Sequence, residues 1–232
     1  MNAIILAAGM GTRLRPSTDI TPKPLIEING IPMIETQIEY LNQIGICEII
    51  IVTGYMQEEF NYLAEKYNVK FVYNDKFDVY NNLYSMYLVK EYLHNTYVIE
   101  GDVYLTHNML KNNLKTSTYF SGIKEDFTSE WVLKFNSDDQ VIKIIVGEGT
   151  DYIMSGISYW VQADSKIIKN RLEKLVEENK FSDLFWDHII KDNLEDFHIK
   201  INKMNPTDWF EIDCIVDLEK AERFSVSSMD KL

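Results

Sequence analysis

The sequence predicts an α/β fold: a mixed, mostly parallel central sheet flanked by helices, with a small antiparallel addition. Three observations carry that prediction. Short runs rich in isoleucine and valine alternate with helix-period segments through the first hundred residues, the rhythm of strands covered on both faces by crossover helices. After Asp102 the texture changes to successive β-rich runs joined by polar turns. Of the 232 residues, 46% are apolar, enough to bury a core without disulfide or metal staples.

Residues 2–8 (NAIILAA) read as a first buried strand that ends at Gly9 and Gly11. Residues 32–44 place Ile34, Ile38, Leu41 and Ile44 at helical spacing, and Gly45 supplies the stop. Residues 47–52 (CEIIIV) form a second strand, 57–67 a helix, 70–73 a short strand, 82–93 a helix and 97–100 (YVIE) a fourth strand. Beyond Asp102, residues 117–123, 130–135, 140–146 and 153–161 predict four further strands. Helices over 165–178 and 183–193, a strand over 198–202 and a helix over 214–224 complete the expected order. One domain, 1–224, is expected, with a frayed tail over 225–232.

Ligands of such sheets bind at the carboxyl ends of the strands. Directly after the first strand, residues 9–24 read GMGTRLRPSTDITPKP. A dinucleotide fingerprint would need a third glycine where Leu14 stands, and a P-loop would need Gly-Lys followed by Ser or Thr. The residues present suit phosphate in another way. Glycine lets backbone amides approach closely, Arg13 can fork two phosphate oxygens and Lys23 can place a point charge on another. Residues 1–25 hold Arg13, Arg15 and Lys23 against Asp19 alone, a local +2 inside a chain of net charge -13. That balance repels nucleic acid and predicts one small anionic ligand, bound locally.

Asp102 follows the fourth strand, so its carboxylate is expected at the same sheet edge as the loop. This is a position for Mg2+, which takes oxygen ligands and needs only one or two carboxylates beside substrate phosphates. The four histidines, His94, His107, His188 and His198, are scattered and read as structural. Cys47 and Cys214 read as reduced thiols. The first residues lack a basic n-region and no run approaches twenty apolar residues, so a cytoplasmic protein without membrane insertion is expected.

The G-x-G-T-R loop with Pro22-Lys23-Pro24 eight residues later resembles the signature of the nucleotidyltransferase family that includes the sugar-1-phosphate nucleotidylyltransferases. The resemblance narrows toward the bacterial CTP:phosphocholine cytidylyltransferases through Tyr80-Asn81-Asn82-Leu83-Tyr84-Ser85, the strand ending at Asp102, Glu130-Trp131, Phe185-Trp186-Asp187 and Glu211-Ile212-Asp213. Essentially the whole chain is covered. The resemblance implies a Rossmann-like nucleotidyltransferase fold, CTP and phosphocholine as substrates, and a monomer or homodimer.

It also implies roles for single residues. Lys23, Arg13 and Asp102 would be catalytic, and Asp213 would join Asp102 at the metal. Leu6, Ala8, Gly9, Gly11 and Thr12 would hold the nucleotide, with Tyr80, Asn82 and Ser85 near the base. Trimethylammonium offers no hydrogen-bond donor and needs aromatic faces and a negative field; Trp131 and Trp186 would supply the faces, with Tyr159 and Phe185 as further walls and Asp187 and Glu211 as acids. Three other readings stay open: the same chemistry on phosphoethanolamine or 2-aminoethylphosphonate, a sugar-1-phosphate nucleotidylyltransferase, and an inactive nucleotide-binding domain.

Overall fold

The computed structural model describes residues 1–229. The first half contains β1 (Asn2–Ala7), β2 (Glu27–Ile28), β3 (Ile31–Pro32), α1 (Met33–Gln43), β4 (Ile49–Thr53), α2 (Tyr62–Tyr67), β5 (Lys70–Tyr73) and α3 (Asn82–Leu88). The second half contains β6 (Thr96–Glu100), β7 (Val103–Leu105), β8 (Ser117–Phe135), β9 (Val141–Trp160), α4 (Gln162–Glu177), α5 (His188–Lys191), β10 (Ile199–Met204), β11 (Trp209–Glu211) and α6 (Ile215–Met229). Among the described residues the main sheet runs β10-β8-β9-β6-β1-β4-β5. β1 pairs in parallel with β4 and β6, β4 with β5, and β10 with β8, while β9 is antiparallel to both β6 and β8. The mixed, mostly parallel sheet is as expected.

β1 shows why both faces are covered. All six of its residues are buried, and strand alternation sends Ala3, Ile5 and Ala7 to one face and Ile4 and Leu6 to the other. The first face meets α1 and α2 through Ile34, Ile38, Leu41 and Leu63. The second meets α3 and α4 through Leu83, Met86, Ile168 and Leu172. Each fully buried side chain of this size contributes about 2 kcal/mol, so the layers fix the direction of β1 and hence the place where its carboxyl end opens. α1 stops as its sequence requires: Gly45 has a φ of 83°, and Ile46 N–H closes the turn on the Leu41 carbonyl at 3.0 Å.

The antiparallel half departs from expectation. The four strands foreseen over 117–161 are two long ones, β8 and β9. Two of the three polar stretches read as turns, 124–129 and 147–152, are bulges, where Asp126, Ser129 and Gly149 take positive φ and the register shifts repeatedly, while the middle one is a turn as expected. The true turn is at Asn136–Gln140, where the Asn136 N–H donates to the Gln140 carbonyl at 3.0 Å. The outer half of this hairpin folds back: Ile201 N–H on β10 donates to the Asp139 carbonyl at 2.9 Å, and Val132 pairs with both Ile145 and Ile153.

Three expected helices are shorter. Residues 57–67 divide into a 3-10 turn, Gln57–Phe60, and α2; residues 82–93 divide into α3 and a 3-10 turn, Lys90–Tyr92; only α5 is helical within 183–193. α6 instead continues past Phe224 to Met229, and the remainder of the expected tail, 230–232, lies outside the described residues. No helix among the described residues is long and apolar enough to cross a membrane. Cys47 and Cys214 are unpaired.

Candidate active site

Beyond β1 the chain makes three successive 3-10 turns, Thr12–Leu14, Ser17–Asp19 and Lys23–Leu25. Gly11 enters the first with a φ of 59°, and a Cβ there would stand 2.9 Å from the Cβ of Lys23. Glycine is the residue that permits both the conformation and the approach. Thr18 Oγ1 donates to the Gly11 carbonyl at 2.9 Å, and Leu14 is fully buried. The loop is thereby closed on itself, and Lys23 is brought under the sheet edge.

Two carboxylates meet Lys23 there. Its Nζ donates to Asp102 Oδ2 at 2.7 Å and to Asp213 Oδ1 at 2.8 Å, and Arg13 Nη2 donates to the same Asp213 oxygen at 2.7 Å. Lys23 is 9% exposed. Burial opposes its charge, but Asp102 and then Asp213 outweigh it, and the ammonium pKa is raised. Asp102 comes from the tight corner between β6 and β7; Asp213 is delivered by β11, which pairs with β7, and by the Ile212 N–H bond to the Asp102 carbonyl at 3.0 Å. More acids crowd behind. Burial, then Asp102 and Asp213, push the Glu211 carboxyl up; burial, then Asp102 and Asp187, push Glu100 up as well.

A cavity of about 310 Å³ opens over this cluster. Gly11, Thr12, Arg13, Lys23, Asp102 and Asp213 line one end, and Leu6, Ala8 and Gly9 form its floor. Tyr80, Asn82 and Ser85 line the opposite side, together with Asn74 and Phe77. Two cations paired with two carboxylates beside a glycine loop, and aromatic and amide side chains across the cavity, suit a nucleotide, its phosphates toward Lys23 and Arg13 and its base toward the amides.

Comparison with known proteins agrees with this geometry. Residues 3–117 match the model of the MobA-like NTP transferase domain. The choline-phosphate cytidylyltransferase of Streptococcus pneumoniae is 47% identical over 96% of this chain and 97% of its own, and its solved structure superposes with a TM-score of 0.93. The chain belongs to the choline-phosphate cytidylyltransferase family. It is a nucleotidyltransferase. The choline-phosphate cytidylyltransferase of Haemophilus influenzae is 38% identical over 94% of both chains. A 2-aminoethylphosphonate cytidylyltransferase of Lancefieldella rimae is 33% identical over 94% of this chain and 90% of its own.

In this cytidylyltransferase-family chain the expected headgroup residues are scattered. Trp186 and Asp187 line a second, small cavity of about 20 Å³ that shares Glu100 with the large one. Burial raises the Asp187 carboxyl to about 7, although the Tyr119 hydroxyl donates to it at 2.8 Å. Trp186 is 2% exposed and packs edge-on against Trp160 at 5.7 Å. Trp131 lies further out, edge-on to His188 at 4.8 Å, and His188 stacks on Phe185, which lines the large cavity. Glu211 stands behind the Asp102–Asp213 pair, with Lys124 at 3.7 Å.

Tyr159 does not belong to this group. β9 pairs it with Tyr97, near the start of β6, and its ring packs into the core, tilted against Tyr97 at 5.1 Å, whereas the cavity opens past Glu100 at the other end of that strand. Asn82 has protein partners on both sides: its Nδ2 donates to Glu100 Oε1 at 2.9 Å, and its Oδ1 accepts the Trp186 N–H at 2.9 Å. Sequence reasoning passed over Glu100, Asn74 and Phe77. Glu100 and Asn74 carried a usable signal, because each is a polar residue at the carboxyl end of a parallel strand.

Proposed function

We propose that this chain transfers CMP from CTP to phosphocholine, giving CDP-choline and pyrophosphate. The observation that carries this reading is the meeting of Lys23, Asp102 and Asp213 beside the glycine loop, at the phosphate end of a nucleotide-sized cavity. A phosphate oxygen of phosphocholine forms the new bond to the α-phosphorus of CTP as the bond to the bridging oxygen of pyrophosphate breaks. Phosphate monoesters already carry most of a second charge near neutrality, so the attack needs no general base. Lys23, held between two acids, neutralises charge that develops on the α-phosphate, and Arg13 takes the departing pyrophosphate. The rest is positioning.

Nucleotidyltransferases of this family generally use a divalent metal, and the residues present fit one. The oxygens of Asp102 and Asp213 already converge on one cation, the Lys23 ammonium, and two carboxylates beside substrate phosphates are what Mg2+ takes. When bound, Mg2+ supplies charge neutralisation at the phosphates. The unpaired thiols suit a reducing cytoplasm, and we place the enzyme there as a monomer or homodimer.

A primary-amine headgroup is the second reading, favoured by Glu100 and Asp187 on the small cavity, which could bond an ammonium N–H directly. Pyrophosphate release with magnesium decides between them, crossing CTP, UTP and ATP against phosphocholine, phosphoethanolamine, 2-aminoethylphosphonate and glucose-1-phosphate. Release with CTP and phosphocholine is expected. Preference for an amine headgroup would replace the choline reading, and silence throughout would overturn the activity.

A further inference from the structure

Asn74, at the end of β5, lies among the residues that line the base end of the cavity and is 1% exposed. Its backbone N–H donates to the Thr53 carbonyl on β4 at 2.8 Å, which pins it to the sheet edge. Its side-chain Oδ1 accepts the backbone N–H of Lys76 at 2.8 Å. A backbone amide can only donate, so this bond fixes which way the carboxamide faces. Nδ2 therefore points at Ser85 Oγ, 3.0 Å away in a buried contact. The serine oxygen is an acceptor in that pair, and its own hydrogen must be donated elsewhere.

Ser85 sits on α3, is 3% exposed and lines the same end of the cavity. We infer that Asn74 is a specificity-determining positioning residue: it holds the Ser85 hydroxyl as a donor toward the base, so that the site takes a pyrimidine whose ring nitrogen accepts and rejects one whose ring nitrogen donates. Cytosine presents two adjacent acceptors, N3 and O2; uracil presents an N–H at position 3. A buried donor facing that N–H leaves both unpaired, and such a mismatch discriminates far better than a change in apolar contact. The inference rests on the proposed nucleotidyl transfer and adds to it the reason for cytosine. The competing acceptor for the Ser85 hydrogen is the Asn81 carbonyl one helical turn back.

The variant that decides is Asn74→Asp. One carboxylate oxygen still accepts the Lys76 N–H, while the other accepts from Ser85, which reverses the serine and turns its lone pairs toward the base. We expect the ratio of kcat/KM for CTP over UTP to fall roughly tenfold or more, with tighter UTP binding. Ser85→Ala should lower the same ratio chiefly by weakening CTP, with a smaller gain for UTP than Asn74→Asp gives, because the facing donor is removed but no acceptor replaces it. Calorimetric titration of each magnesium nucleotide without phosphocholine reads the ratio separately from the headgroup, so an error in the headgroup reading would not mask the result. Equal losses for both nucleotides in both variants, with the ratio unchanged, would overturn the inference and assign the Asn74–Ser85 bond to packing alone.

Discussion

Lys23 is held by two acids that repel each other without it, so its removal has a chemical and a structural consequence. Lys23→Ala takes a preorganised donor from the transition state, and other such donors are worth about 10²- to 10³-fold in kcat. We expect a kcat loss of that order in steady-state kinetics with CTP and phosphocholine; a change confined to the KM for CTP would make Lys23 a uniform binder. Asn82 tests a finer distinction. It bridges Glu100 and the Trp186 backbone, both of which border the small cavity, so Asn82→Ala should raise the KM for phosphocholine several-fold while the KM for CTP changes little. A selective rise in the CTP constant would return Asn82 to the role that the sequence suggested.

At the scale of elements, the parallel half was legible and the antiparallel half was not, for one physical reason. β1 and β4 are buried on both faces and leave continuous apolar runs bounded by glycine, whereas β8 and β9 bend through bulges whose polar residues resemble turns. The same contrast divides the site. The glycine loop and Asp102 announce themselves at strand ends, while the register of β9, which sends Tyr159 to the far end of β6, is invisible without the bulges. Gly156 forms one of them. It has a φ of 78°, and a Cβ there would meet Val103 at 2.8 Å and Glu100 at 3.1 Å. Gly156→Ala should cost roughly 1–2 kcal/mol from the left-handed conformation alone, read by urea unfolding. It should also lower kcat/KM for phosphocholine by displacing Glu100; an unfolding midpoint unchanged from wild type would refute the strain.

Across the whole molecule, a chain of net charge -13 crowds three partly buried acids around one site, while its two most buried acids, Glu35 and Asp164, lie elsewhere. Glu100, Asp187 and Glu211 all have raised carboxyl pKa values, with burial as the leading cause. Such crowding lowers stability in exchange for a site that attracts cations. The sign of its pH dependence follows from linkage. Asp187 titrates at about 7 in the fold against 3.8 for the free side chain, so between those values the folded state keeps a proton that the unfolded chain has lost. The Asp187 contribution is therefore most favourable below pH 4, declines as pH rises toward 7, and stays at its minimum above that. Asp187→Asn keeps an oxygen for the Tyr119 hydroxyl but cannot ionise. Relative to wild type, the variant should gain on the order of 2 kcal/mol of unfolding free energy between pH 5 and pH 8. Removing this charge also relieves Glu100, whose carboxyl the Asp187 charge helps to push up, and that acts in the same direction. Urea unfolding of both proteins at the two pH values measures the difference, and parallel pH profiles would mean that Asp187 is already ionised at pH 5.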